Sequence, residues 1–317
     1  MYPSYLKLHK NGQLEKRIEQ AYGLLESCCL CPRRCKVNRL KNQKGFCHTG
    51  LLARVYSYMP HFGEEPCISG SCGSGTIFFS GCNMACVYCQ NYEFSQLGAG
   101  REVEIFELSK FMLELQGRGC HNINLVTPTH IMPQILKALS LAVPKGLEIP
   151  LVYNTSGYEL PETIKLLEGI VDIFLADMRY AKDEMSQRYS DAPGYSGYSQ
   201  SAIKQMHRQS GEAKFDRQGL IKNGLIIRHL VLPAGISQTA SIMRFIAHEV
   251  SAHTYISLMS QYLPCHKAGE YSKLSRRISQ EEYEEAKQAM LENGLDNGWL
   301  QESRGLARFA GVNITPR

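Results

Sequence analysis

From Gly75 onward, short apolar segments rich in β-branched or aromatic residues alternate with segments of helical period. Strand followed by helix, repeated, is typical of a parallel sheet. A complete eight-unit barrel takes about 250 residues, whereas Gly75 to Cys265 spans only about 190. The sequence therefore predicts an α/β fold, a partial (β/α)6 barrel of the TIM type. Its six strands are predicted at Thr76–Ser80, Asn124–Thr127, Leu151–Asn154, Asp172–Ala176, Leu225–Leu232 and Tyr255–Met259.

Three regions are predicted along the 317 residues. Residues 1–72 form an N-terminal helix and a cysteine-rich extension, residues 73–265 form the barrel, and residues 266–317 form a helical tail. We expect neither a signal peptide nor a membrane span, because no basic start precedes an apolar run and no long apolar run is free of polar residues. With 12 cysteines the chain is too poor in cysteine for a disulfide scaffold. Reduced thiols and a cytoplasmic location are therefore expected.

Three cysteines follow the first predicted barrel strand with the spacing C-x3-C-x2-C, at Cys82, Cys86 and Cys89. In a parallel α/β protein the loop after a strand lies at the carboxyl end of the sheet, where active sites are built. A 4Fe-4S cluster has four irons to ligate, so three thiolates leave one iron open for catalysis. The alternative is a zinc knuckle completed by a remote Cys or His. The preceding strand favours the cluster.

This spacing, with Tyr88 as the aromatic residue before the third cysteine, resembles the hallmark of the radical S-adenosylmethionine superfamily. The chain is more narrowly similar to uncharacterised iron-sulfur homologues of the pyruvate formate-lyase activating enzymes. The resemblance runs from about Cys28 to Tyr271. The supporting segments are GSGTIFF at 73–79, VTPTH at 126–130, VYNTSGY at 152–158 and RHLVLP at 228–233.

The resemblance implies that Cys82, Cys86 and Cys89 hold a 4Fe-4S cluster whose open iron binds the amino and carboxylate groups of S-adenosylmethionine. One electron then cleaves the cofactor to methionine and a 5'-deoxyadenosyl radical, which takes a hydrogen atom from substrate. The resemblance also implies a low-potential electron donor of the flavodoxin or ferredoxin type. It suggests a protein or peptide as the substrate.

Cofactor contacts are assigned by the same resemblance to the ends of the strands. Activating enzymes carry a glycine-glycine-glutamate motif after the second strand, where this chain has Thr127-Pro128-Thr129-His130, so hydroxyls and backbone carbonyls must substitute. The other interpretations are helix caps for the strand-end residues and a buried arginine-carboxylate pair for the arginine. Cys265, after the last strand, is a further candidate to meet substrate. The cofactor-binding candidates are Tyr88, Thr127, Thr129, Asn154, Asp177 and Arg228.

A second group of thiols consists of Cys28, Cys31, Cys35 and Cys47. Four thiols predict a closed site, structural or electron-relaying, that holds either zinc or a second iron-sulfur cluster, and the spacing does not separate the two. Cys29 could replace Cys28 as the first ligand, although the C-x2-C spacing favours Cys28. The basic residues between these thiols either offset the charge of the thiolates or bind nucleic acid phosphates. Few aromatic residues are interleaved with them, which favours the first account.

Three functions remain open from the sequence. The leading one is a radical enzyme that activates or modifies a protein or peptide, and the resemblance suggests that it installs a glycyl radical. The second keeps the radical chemistry but acts on RNA or a small metabolite, and the mild net charge of +5 permits an anionic partner without requiring one. The third is a non-catalytic protein that binds zinc and an iron-sulfur cluster.

Overall fold

The computed structural model describes residues 2–301 and the backbone of residues 311–313. Its strands are β1 (Ala53–His61), β2 (Ser74–Phe79), β3 (Arg101–Val103), β4 (Ile123–Val126), β5 (Leu151–Thr155), β6 (Ile173–Asp177), β7 (Lys214–Phe215), β8 (Ile221–Leu230), β9 (Tyr255–Met259), β10 (Gly298–Gln301) and β11 (Gly311–Asn313). Its α-helices are α1 (Tyr5–Lys10), α2 (Gln13–Gly23), α3 (Pro66–Ser69), α4 (Tyr92–Ser95), α5 (Ile105–Gly117), α6 (Met132–Ala142), α7 (Pro161–Lys165), α8 (Asp183–Ser190), α9 (Tyr195–Ser210), α10 (Thr239–Phe245) and α11 (Gln280–Glu292).

The sheet has a parallel centre that matches the prediction. β2, β4, β5, β6, β8 and β9 are neighbours in that order, and each pairs with the next in parallel. Every residue of β4, β5 and β6 is buried, as expected for strands covered on both faces. Helices alternate with these strands along the chain. The predicted α/β fold with a partial barrel is therefore confirmed.

The two edges of the sheet were not foreseen in detail. β1 runs antiparallel to β2, with His61 opposite Ser74, and the short β3 pairs only with the start of β1. At the other edge β10 pairs in parallel with β9, and β11 pairs antiparallel with β10. The sequence places the region of β1 in the N-terminal cysteine-rich extension and not in the barrel sheet. The structure instead joins it to the barrel sheet.

The segment between β1 and β2 closes the amino-terminal end of the barrel. Because β1 and β2 are antiparallel and joined through residues 62–73, this segment lies at the end of the sheet where the parallel strands begin. Its acidic residues Glu64 and Glu65 are buried. Carboxylates inside a barrel require partners, and those of Glu64 come from several strands, as described below.

Helices pack on the outer face of the sheet, and α2 from the N-terminal region lies against α6. Its buried residues Leu14, Ile18 and Ala21 form one stripe at helical spacing. Among the residues described, no helix is both long and apolar enough to cross a lipid bilayer.

Candidate active site

The loop of the first cysteine group lies at the carboxyl end of β2, where the sequence predicts it. The backbone N–H groups of Ala85 and Val87 donate to the carbonyls of Ser190 and Tyr189, at the end of α8. The Val87 carbonyl accepts from the N–H of Lys267, after β9. The loop is thus held from two sides by the backbone of the barrel.

Each thiol of this loop has a hydrogen-bond donor near its sulfur. Cys86 is buried, and its Sγ accepts from Arg179 Nη1 at 3.1 Å and from Ser190 Oγ at 3.0 Å. The N–H of Met84 donates to Cys82 Sγ at 3.4 Å. Donors of this kind stabilise a thiolate and orient it toward a metal. The Cys89 sulfur lies 3.3 Å from Ser95 Oγ.

The protonation of these thiols depends on burial. Burial raises the pKa of Cys82 to about 12 and also raises the pKa of Cys89. Both thiols are therefore protonated at neutral pH in the free chain, and binding of iron would release their protons. The donor set fits an iron-sulfur cluster: three thiols on one loop, with N–H, O–H and guanidinium groups directed at sulfur.

No group of three or more His, Cys, Asp or Glu side chains in the described part of the chain already has metal-binding geometry. The thiols of each cysteine group must therefore turn toward a common point when a metal binds.

Asp177, at the end of β6, bridges two arginines beside this loop. Its Oδ2 accepts from Arg179 Nη2 at 2.5 Å, and its Oδ1 accepts from Arg228 Nε at 2.9 Å. Burial alone would raise the pKa of Asp177, but Arg228 and Arg179 outweigh it and hold the pKa below its usual value. Asp177 is therefore an ionised bridge, and Arg179 extends that bridge to the sulfur of Cys86.

Arg228 forms the buried arginine-carboxylate pair that was one of its two interpretations from the sequence. Besides Asp177 it donates from Nη1 to Glu64 Oε2 at 3.2 Å and from Nη2 to Asn154 Oδ1 at 2.5 Å. His229, the next residue, points the other way, to the carbonyl of Met178. The expected alternation along the strand is therefore observed.

Glu64 is a site residue that the sequence analysis missed. Its Oε1 accepts from Asn124 Nδ2 at 3.0 Å and from Asn154 Nδ2 at 3.5 Å, so its carboxylate reaches into the barrel. Burial raises the pKa of Glu64 to about 7, although Arg228 opposes the shift. The only local signal was an acidic pair, Glu64-Glu65, in a connection of turn-type residues.

The helix-cap interpretation is wrong for Thr127, Asn154 and Asp177. The N-cap residues of α6, α7 and α8, which follow these strand ends, are Ile131, Leu160 and Lys182. Thr127 instead has a φ of +57°, a left-handed conformation that is costly for a β-branched residue. Strained backbone at the end of a barrel strand is typical of a functional position.

Thr129 forms a hydrogen bond with Glu159, a second carboxylate that was not predicted from the sequence. Its hydroxyl donates to Glu159 Oε1 at 2.6 Å, and Thr155 Oγ1 donates to the same oxygen at 2.5 Å. Glu159 has no exposed surface, and burial raises its pKa to about 7 despite the two hydroxyls. Thr129 thus serves a buried acid that follows β5. A glutamate between Tyr158 and Leu160 gave no pattern from which to predict this.

Tyr88 and Cys265 lie together at the same end of the barrel. The Tyr88 hydroxyl is 2.6 Å from that of Tyr180, in a buried aromatic cluster that also contains Tyr262. The Cys265 thiol donates to the Tyr88 carbonyl at 3.2 Å. Both candidates therefore adjoin the cysteine loop, and their roles toward cofactor and substrate remain predictions.

The second cysteine group also comes together in space. Cys28, Cys31, Cys35 and Cys47 line one small cavity, whereas Cys29 is not among its lining residues. Burial raises the pKa values of Cys31 and Cys47.

Several of the intervening basic residues are used internally. Arg39 is buried, Arg33 stacks on Phe46 with 3.5 Å between its guanidinium carbon and the ring centroid, and Lys44 pairs with Glu102. This favours charge neutralisation over nucleic acid binding.

Comparisons with known proteins agree with this geometry. The model of the radical SAM superfamily matches residues 76–233. Over 303 residues the chain is 32% identical to the uncharacterized protein MJ0674 of Methanocaldococcus jannaschii, covering 92% of this chain and 82% of that protein. The chain belongs to the radical SAM superfamily, and it is a radical SAM enzyme.

Two solved structures are more distantly similar. HydG, a maturase of the FeFe-hydrogenase, is 10% identical with a TM-score of 0.47, and the match covers 72% of this chain and 50% of HydG. Methylornithine synthase (PylB) is 13% identical with a TM-score of 0.44, and the match covers 68% of this chain and 60% of PylB. This chain therefore corresponds to less than two thirds of either protein.

Proposed function

We propose that this enzyme cleaves S-adenosylmethionine reductively at a 4Fe-4S cluster bound by Cys82, Cys86 and Cys89, and that it acts on a peptide or protein segment. The observation that carries the proposal is the position of the three thiols at the carboxyl end of β2, where Cys86 contacts Arg179 of the Asp177–Arg179–Arg228 ion network. When bound, the cluster supplies the electron that breaks the bond between sulfur and the 5' carbon, giving methionine and a radical that abstracts a hydrogen atom.

The residues of the chain bind and orient the reactants in this proposal. Arg179 and Ser190 donate to the Cys86 sulfur and so fix its direction. The buried aromatic cluster around Tyr88 and Tyr180 keeps water from one side of the loop. Thr127, Asn154 and Asp177 lie at the ends of adjacent parallel strands, where we place S-adenosylmethionine. The electron comes from a low-potential donor of the flavodoxin or ferredoxin type.

A groove along the outer edge of β1 supports the peptide as substrate. β3 pairs only with residues 53–55 of β1, so no described strand pairs with the outer side of β1 from Tyr56 to Pro60. A cavity of about 480 Å³ lies against this edge, between Tyr56, Gly100 and Phe111. An extended peptide can add to an open strand edge through backbone hydrogen bonds. The edge begins next to Val55, which pairs with Phe79 three residues before Cys82, and it runs from there toward the amino-terminal end of β2.

RNA is the second candidate substrate. This candidate is less well supported, because several of the basic residues are engaged within the protein. Arg33 donates from Nε to the carbonyl of Asn83 at 2.9 Å, and Arg34 pairs with Glu162 at 3.0 Å. With Arg39 buried, a reduced set of cations remains for phosphates. Nucleic acid binding normally needs a clustered, accessible basic face.

Anaerobic turnover tests the radical chemistry. Reconstituted protein with dithionite and S-adenosylmethionine should form 5'-deoxyadenosine and methionine, measured by liquid chromatography. Cys86→Ala should abolish the products, because one of three cluster ligands is lost. Cys120→Ala is the matched control, since Cys120 is a buried thiol in the main core and not on the loop. Undiminished turnover in Cys86→Ala would remove the proposed cluster from the mechanism.

Substrate class is tested by adding defined pools to the same assay. A pool of cellular peptides should accelerate 5'-deoxyadenosine formation, and protease digestion to amino acids should abolish the acceleration. Tyr58→Pro, which removes an N–H from the open edge of β1, should reduce the acceleration while leaving the basal cleavage unchanged. Acceleration by an RNA pool and none by peptides would refute the peptide assignment.

A further inference from the structure

The four thiols of the second cysteine group meet at one cavity. Cys28, Cys31, Cys35 and Cys47 all line it. Four thiols around one cavity can supply the four ligands of a closed metal site, which leaves no position open for a substrate.

The backbone around the cavity is shaped to bring sulfur atoms close. Arg34 and Lys36 flank Cys35 with φ values of +41° and +60°. A side chain at Gly45 would place its Cβ 2.8 Å from both Cβ and Sγ of Cys35, so only glycine fits there. The N–H of Phe46 then donates to Cys35 Sγ at 3.5 Å. Tight turns whose N–H groups point at sulfur are the outer shell that a metal thiolate needs.

Arg39 supplies an independent sign that an anionic group occupies this cavity. Its side chain lines the cavity and is 1% exposed. Nε donates to the carbonyl of Gly50 at 3.1 Å and Nη1 to that of His130 at 2.6 Å, but Nη2 has no partner among the described residues. A buried guanidinium without a counter-charge is costly. A divalent ion with four thiolates carries a net charge of −2, which offsets it.

The same residues connect the cavity to the cluster loop. A Cβ at Gly81 would fall 2.4 Å from the carbonyl oxygen of Cys47, so the two segments are in direct contact. His130, which accepts from Arg39 through its carbonyl, lies with Nε2 2.9 Å from the carbonyl of Ser80. Ser80 and Gly81 directly precede the first cluster ligand, Cys82.

We propose that Cys28, Cys31, Cys35 and Cys47 bind one zinc ion in a closed tetrahedral site, and that this site supports the cluster loop through Arg39, His130 and the contact of Cys47 with Gly81. Zinc suits four thiolates in a site without an open position. The ion performs no redox step. The proposal is independent of the substrate and of the radical chemistry.

Elemental analysis of anaerobically prepared protein tests the metal. Wild-type protein should contain about one zinc and, after reconstitution, about four irons per chain. Cys31→Ala with Cys35→Ala should remove the zinc and leave the iron and the cluster absorption in place, because the two sites share no ligand. Cys29→Ala, the matched control, should keep the zinc. About eight irons without zinc, or zinc retained in the double variant, would overturn the proposal.

A cobalt substitution covers the case in which the double variant does not fold. Protein with Cys82, Cys86 and Cys89 replaced by Ser keeps the second site and cannot form the proposed cluster. Grown with cobalt, it should show the intense bands of tetrahedral cobalt bound to thiolates. Cobalt bound without these bands, or no bound cobalt, would contradict a four-thiolate site.

The role of Arg39 is tested by zinc release to a chromogenic chelator. Arg39→Gln should weaken zinc retention by roughly 10- to 100-fold, the usual effect of losing an outer-shell partner. Lys41→Gln is the control, because Lys41 is exposed on the same short turn, Arg39–Lys41. Equal release rates in both variants would show that Arg39 does not act on the metal.

Discussion

Replacing Asp177 with alanine removes the carboxylate that joins two arginines beside the cysteine loop. Asp177 is 8% exposed and accepts from Arg179 and Arg228. Removing one partner of a buried ion pair typically costs about 3 to 5 kcal/mol. Arg228 retains Glu64 and Asn154, so we expect the lower end, about 3 kcal/mol. At about 2 °C per kcal/mol for a large domain, the melting temperature should fall by roughly 6 °C.

The same change should affect the cofactor. A charge-assisted hydrogen bond contributes about 1.5 to 3 kcal/mol, so loss of Asp177 should weaken S-adenosylmethionine binding by roughly 10- to 100-fold. Iron content should not change, because no cluster ligand is touched. Asp177→Asn separates shape from charge: it retains an acceptor for one arginine but lacks the charge that both arginines need.

Thermal unfolding and isothermal titration of the anaerobic protein measure the two effects. Glu162→Ala is the control for stability, because its pair with Arg34 is exposed and should contribute less than about 1 kcal/mol. A stability loss with unchanged cofactor affinity would make Asp177 a purely structural ion-pair partner. An Asp177→Ala protein within about 0.5 kcal/mol of wild type, with unchanged affinity, would refute the network altogether.

Two further predictions concern residues after β5. Glu159→Gln should have a higher stability relative to wild type at pH 8 than at pH 4.5. Burial raises the folded-state pKa of Glu159 to about 7, so the free energy of unfolding of wild type falls by roughly 3 kcal/mol as pH rises through this interval. In urea melts the exposed control, Glu168→Gln, should show no such trend. Gly157→Ala should lower the free energy of unfolding by about 3 kcal/mol, since φ is +78° and the new Cβ would lie 2.3 Å from the Asp177 carbonyl oxygen. The control, Gly146→Ala, has φ +95° and no neighbour within 4 Å, so it should lose less stability. Equal losses of stability in denaturant titrations would contradict the clash.

The parallel strands could be predicted because burial on both faces leaves a run of apolar residues in their sequence. β5 and β6 are buried at every residue, so their apolar runs leave little ambiguity between turn signals. β1 is different, because it lies near the edge of the sheet and carries exposed Tyr56 and Met59 together with Pro60. An edge strand need not be apolar on both faces. β1 is recognised as a strand from its pairing with β2 in the structure.

The candidate site divides in the same way between local and distant signals. Cys82, Cys86 and Cys89 were predictable because their chemistry depends on spacing within one loop. Glu64 was not, because its partner Arg228 lies 164 positions away. No local pattern marks a carboxylate that gains its meaning only when strands from different parts of the chain close into a barrel.

The charge of the ion network bears on what can bind beside it. Arg179 and Arg228 contribute two positive charges, and Asp177 offsets one of them because the arginines keep its pKa low. Burial raises the pKa of Glu64 to about 7, so near neutral pH this carboxylate is only partly ionised. Glu65 is buried as well and acts on Arg228 at least as strongly as Glu64 does. The acidic side chains of this region therefore balance the two arginines without a ligand. The network's role at the strand ends is then to hold Asp177 and Arg179 in place, and Arg179 donates to the sulfur of Cys86.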